Sequence, residues 1–164
     1  MPAPKGYSSV QIGLHWLVVI LFAAQFLFSD GMEHAWDAYE EGGAAVTGSG
    51  TLVHIIPGVL ILIAALWRLA LRLSRGAPEA PEGPALQRLA GEAVHWGLYA
   101  VMIALPLSGM AAWFGGIKAA GESHQLFKML AIALVALHVA AALYHQYVVK
   151  DGLIRRMMRA EDRG

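Results

Sequence analysis

Four apolar stretches, each long enough to cross a bilayer, constrain this chain more than any other feature. A hydrocarbon core of about 30 Å takes roughly 20 helical residues. Segments of that length run over about 10–28, 51–71, 89–114 and 124–149. A helix of a soluble domain needs a polar stripe facing water, and four such spans in 164 residues leave no amphipathic shell to cover them. Composition agrees. Only 15% of residues are charged and 57% are hydrophobic, with a mean hydropathy of +0.53, whereas soluble domains carry about 25% charged residues. The expected fold is all-α, an integral membrane four-helix bundle forming a single domain over residues 1–164. Pro106 is expected to kink the third span.

Loop charge sets the orientation. Lys5, Arg68, Arg72, Arg75, Arg88, Lys150, Arg155, Arg156, Arg159 and Arg163, ten of the twelve basic residues, fall on one side. The other side keeps Lys118 and Lys128 beside Asp30, Glu33, Asp37, Glu40, Glu41 and Glu122. The positive-inside rule then makes both termini cytoplasmic. Segment 31–50 reads as an extracytoplasmic loop and the Pro- and Gly-rich segment 74–87 as an irregular linker. No small-residue cleavage site follows the first apolar stretch, so it reads as a retained span rather than a signal peptide.

The formal charge is zero, so no global basic field points to nucleic acid. There are no cysteines, which excludes disulfides, thiolate-held zinc, iron–sulfur clusters and haem attached through thioethers. Histidine remains as the versatile ligand, and there are seven. His34 reads as a loop residue; His15, His54, His95, His124, His138 and His145 lie in or at the edge of the spans. Ionisable groups in membrane helices are costly, so each of these six is a functional candidate.

The depth of each follows from topology. The first span runs outward and places His15 near the cytoplasmic surface; the second and fourth run inward and place His54 and His124 near the outer one. His138 follows His124 by fourteen residues, almost four turns and about 21 Å along the axis, so both rings share one side of the helix. His54 and His124 thus share an outer level, and His15 and His138 an inner one. Two stacked pairs of facing imidazoles are what bis-histidine ligation of two haems requires. Small residues lie beside them in sequence, Gly58 near His54 and Gly13 near His15. Zinc fits less well, because the ~21 Å separation within one helix forbids a shared four-histidine site. Proton transport is disfavoured by spans that hold almost no Asp or Glu beyond Glu92.

GLHWLV at 13–18, LVHIIPGVLI at 52–61, WRLALRL at 67–73, HWGLYAVMIALPLSGM at 95–110, LHVAAALYHQYVVKD at 137–151 and LIRRMM at 153–158 resemble the bacterial cytochrome b561 family. The likeness covers nearly the whole chain. It implies a multi-pass protein of the bacterial cytoplasmic membrane with two haems b, exchanging electrons with quinone. It also implies that the fourth helix supplies one ligand to each haem. Carried over, His54 and His124 hold the iron of the outer haem, and His15 and His138 hold that of the inner one.

Four further residues are candidates around the inner haem. His145, seven residues past His138, is an alternative partner for His15, but it would stretch the interval from His124 to about 31 Å, the full core thickness. His95 is a candidate for a propionate or quinone contact, with a plain interhelical bond as the alternative. Arg68 and Arg72, one turn apart, are candidates for propionate pairing or simple positive-inside anchors. Trp16, Trp67, Trp96 and Trp113 read first as interfacial belts.

The expected function is transfer of electrons between an extracytoplasmic donor and the quinone pool, in a protein that also contacts membrane lipid. The alternative is a haem-bearing anchor subunit of a larger oxidoreductase. Some members of the resembled family are thought to oxidise superoxide. Five acids without a base in residues 30–50 should repel that anion and instead suit a basic electron-carrier protein.

Overall fold

The computed structural model describes residue 4 and residues 6–79 and 83–161. Lys5 and Arg163, counted among the cytoplasmic charges, and residues 80–82 of the linker lie outside them. Among the described residues there are five α-helices and no strand: α1 (Ser9–Leu27), α2 (Asp30–Glu40), α3 (Ser49–Arg75), α4 (Ala85–Trp113) and α5 (Lys118–Tyr144). A π-helical turn, His145–Val149, continues α5, and a short 3-10 helix, Leu153–Met157, follows. Helices α1, α3 and α4, and α5 with its π-helical turn, are long and apolar enough to cross a membrane.

Local chemistry sets the helix ends. Ser8 caps α1 reciprocally with Gln11: the Ser8 Oγ accepts from the Gln11 N–H at 3.3 Å, and the Gln11 Oε1 accepts from the Ser8 N–H at 3.0 Å. Gly76, at φ 81°, ends α3, a backbone region costly for any residue with a Cβ. Pro84 precedes α4, which begins four residues before the expected boundary at 89. Its fixed φ is already that of a helix start. Pro106 lies inside α4 and Pro57 inside α3, each removing one backbone N–H.

The segment read as an outer loop is partly helical. Met32, Trp36 and Tyr39 share one face of α2 and are half-buried, while its acids are exposed. His34 therefore sits on a helix rather than in a loop. Two close approaches seat α2: a Cβ on Gly31 would lie 2.7 Å from the Gly50 Cα, and one on Gly121 would lie 2.5 Å from the Trp36 ring.

The spans alternate in direction. At one end Gln11 Nε2 donates to the Gly76 carbonyl, Gln87 meets His145 and the Trp16 Nε1–H donates to the Met157 carbonyl. At the other, Gln25 Nε2 donates to the His54 carbonyl and the Trp113 Nε1–H donates to Thr47 Oγ1. Trp113 is buried, so it packs inside rather than joining an interfacial belt.

The molecule is apolar outside and thin inside. Ile20, Leu27, Ile56, Ile63, Leu73 and Leu137 are exposed, as lipid-facing side chains must be, whereas the tight contacts use Ala64, Ala65 and Ala131. Small residues let membrane helices approach closely. A cluster of Ile61, Ala65 and Met102, flanked by Val18, Leu21, Phe22, Ile103 and Val135, fills the middle. By sequence position it lies between the two histidine levels.

Candidate functional site

The structure brings the six span histidines into two groups and sets one apart. Toward the acidic face, His54 of α3 and His124 of α5 have ring centres 6.2 Å apart. Toward the basic face, His15 of α1 and His138 of α5 have ring centres 6.3 Å apart, and His95 of α4 lies 5.3 Å from His138. A metal–imidazole bond is about 2 Å and a ring nitrogen sits about 1 Å from its ring centre, so two imidazoles on opposite sides of one ion have centres about 6 Å apart. Both pairs fit that separation. The His95–His138 contact is about 1 Å too short for it, which makes His95 a neighbour of His138 rather than its partner across an ion.

His145 is placed differently. Its Nδ1–H donates to Asp151 Oδ2, and its Nε2 accepts from Gln87 Nε2 at 3.2 Å. Both ring nitrogens are therefore engaged. Asp151 is held below the ordinary carboxylate range: slight burial pushes it up, but the His145 hydrogen bond, the Leu153 N–H and the nearby positive charge of Arg156 outweigh that. Among the described residues no three His, Cys, Asp or Glu side chains converge to hold a metal ion.

The outer pair opens on a cavity of about 450 Å³, lined by Phe22, Phe26, Ile61, Met102, Pro106 and Trp113 among others. Gly58 and Gly109 also line it, and a Cβ on Gly109 would lie 3.1 Å from the His124 ring. The sequence pattern had pointed to Gly58 but missed Gly109. His124 Nδ1–H donates to the Leu105 carbonyl at 2.9 Å, and the Ser108 Oγ–H donates to the same carbonyl at 2.9 Å. A bond that holds Nδ1–H leaves Nε2 as the free donor atom. Two facing imidazoles, an apolar cavity and a fixed His124 tautomer together fit a haem held between the pair. Beside His15, a Cβ on Gly13 would meet nothing within 4 Å.

Around the inner pair, Arg68 Nη1 donates to the Gln11 carbonyl at 3.1 Å, and the Arg72 guanidinium lies 5.3 Å from the centre of the Trp96 ring. Tyr7, just before α1, has its phenol pushed up by burial, against the lowering charge of Arg72. The candidate propionate partners thus already have protein contacts on the basic face.

Long antiparallel membrane helices with paired interior histidines fit a membrane-embedded cytochrome. The model of the prokaryotic cytochrome b561 family matches residues 6–160, and the chain belongs to that family. It is 35% identical to "Cytochrome b562" of Cereibacter sphaeroides, over 97% of this chain and 99% of that protein. It is 30% identical to "Probable superoxide oxidase CybB" of Yersinia pestis, over 94% and 96%, and 29% identical to "Cytochrome b561 homolog 1" of Escherichia coli, over 93% and 96%. The protein is a multi-pass bacterial membrane cytochrome of electron transport, and its family membership implies haem b.

Proposed function

We propose that this cytochrome carries two haems b in one transmembrane domain, one between His54 and His124 and one between His15 and His138. It passes electrons between a donor at the acidic, extracytoplasmic face and the quinone pool. The observation that supports this reading is the repetition of one geometry at two depths, with ring centres 6.2 and 6.3 Å apart. A haem held by such a histidine pair would supply one-electron chemistry and would leave no open position for oxygen. The chain contributes the ligands, the fourteen-residue interval on α5 and the low-dielectric surroundings. Arg68, Arg72 and His95 surround the inner pair, where a propionate or a quinone oxygen would find donors.

The acidic face bears on the donor. A relative named as a superoxide oxidase makes superoxide a candidate. The exposed acids of α2, with Glu33 and Asp37 lining the outer cavity and Lys128 the one cation among its described lining residues, disfavour an anion and favour a basic carrier protein. Haem quantification with reduced-minus-oxidised spectra on purified protein tests the core of the proposal. Two haems b per chain are expected, and one or none overturns it. Turnover of superoxide with quinone by the purified protein would identify that donor; co-purification of a stable partner would favour the anchor-subunit role instead.

A further inference from the structure

Gln25 is the one uncharged amide side chain within α1 beyond its capped first turn. An amide in an apolar span is costly unless it is hydrogen-bonded. Gln25 lies on the cavity of the outer pair, and its Nε2 donates to the backbone carbonyl of His54 at 3.0 Å. Gly58 makes room for it, since a Cβ there would lie 3.1 Å from Gln25 Nε2. Half of the amide is therefore locked onto the turn that carries His54.

The other half is not. Gln25 Oε1 is buried without a hydrogen-bond partner, and so is His54 Nδ1. A histidine that ligates through Nε2 carries its proton on Nδ1 and needs an acceptor for it. His124 has one in the Leu105 carbonyl; His54 does not. An orphaned acceptor and an orphaned ring nitrogen thus sit on two residues already joined to each other. A buried water with two such polar partners is a common way to satisfy both.

We propose that Gln25 is the positioning residue of the outer haem: it clamps the His54 carbonyl through Nε2 and accepts, across one buried water, the His54 Nδ1 proton through Oε1. This rests on the assignment of His54 as an axial ligand. An acceptor on Nδ1 raises the basicity of the ligating nitrogen and favours ferric over ferrous iron. Gln25 therefore lowers the potential of one haem and leaves the other unchanged.

Redox titration of the purified holoprotein, followed at the haem bands, tests this with Gln25→Met, Gln25→Glu and His54→Ala. In Gln25→Met one of the two components moves to higher potential and its haem is lost roughly 10- to 100-fold more readily. In Gln25→Glu, which restores a stronger acceptor, the same component returns to the wild-type value or below. Both potentials unmoved in Gln25→Met, or both moved equally, would overturn the proposal. If Gln25→Met does not fold, Gln25→Glu decides: its component must fall or stay, and a rise overturns the role. His54→Ala is the separate control. Retention of both haems there sinks the ligand assignment itself, whatever the Gln25 variants do.

Discussion

His138 faces His15 across α5 and α1 with ring centres 6.3 Å apart, while His145, one heptad further on, is closed off by Asp151 and Gln87. The two residues look interchangeable on a helical wheel, yet one has a partner at the separation a shared ion needs and the other has none. On the proposed ligation by two histidine pairs, His138→Ala is expected to cost the inner haem and leave the outer one. His145→Ala is expected to keep both. Loss of haem only in the second variant would reverse the inner assignment.

Gly109 controls the outer pair sterically. A Cβ there would press on the His124 ring at 3.1 Å, and the ring is already fixed by the Leu105 carbonyl. Gly109→Val should therefore displace His124 and lower outer-haem occupancy, with the inner component retained. Gly109→Ala should shift the outer component without losing it. Haem-resolved spectra of the purified variants check both.

The tail folds back onto α1 through the Trp16 Nε1–H to Met157 carbonyl bond at 2.9 Å and the Glu161 N–H to Tyr7 carbonyl bond at 3.0 Å. Trp16→Phe removes the first. One such bond contributes about 0.5–1.5 kcal/mol, so tryptic cleavage after Arg155 and Arg156 should accelerate roughly 2- to 10-fold. An unchanged cleavage rate would show that the tail is held by other contacts.

Asp151 makes that tail acid-sensitive. Its carboxyl is held below its ordinary value in the folded protein, so the stabilisation is complete above the unfolded value, about 4, and is lost as pH falls through the lower folded value. Asp151→Asn lacks this term at every pH. Thermal stability, read from haem bleaching, should differ most between wild type and variant above pH about 4 and converge as pH falls through the lower folded value. The margin is small, because the pair is close to water.

The charge on α2 gives a kinetic prediction. Neutralising Glu33 and Asp37, which line the outer cavity, should speed reduction by an anionic donor several-fold and slow reduction by a basic carrier protein. Both effects should fade at high ionic strength. Stopped-flow reduction at two salt concentrations distinguishes the cases.

Much of this was determined by the sequence alone. Span length, span direction and the depth of each histidine depend on the hydrocarbon thickness, the loop charges and the fixed rise of a helix, all of which can be read locally. The spacing of His124 and His138 on α5 follows in the same way. Met32, Trp36 and Tyr39 carry a helical period as well, but the acids and glycines around them disguised α2 as a loop. Tertiary structure alone decided how far each helix turns about its axis and where the tail returns. Those rotations place His95 against His138, occupy His145 with Gln87 and Asp151, bury Trp113 beneath Thr47 and set Gln25 beside His54. Apart from the His145–Asp151 pair, which is only six residues apart, each is a contact between residues far apart in sequence, so no local pattern encodes it.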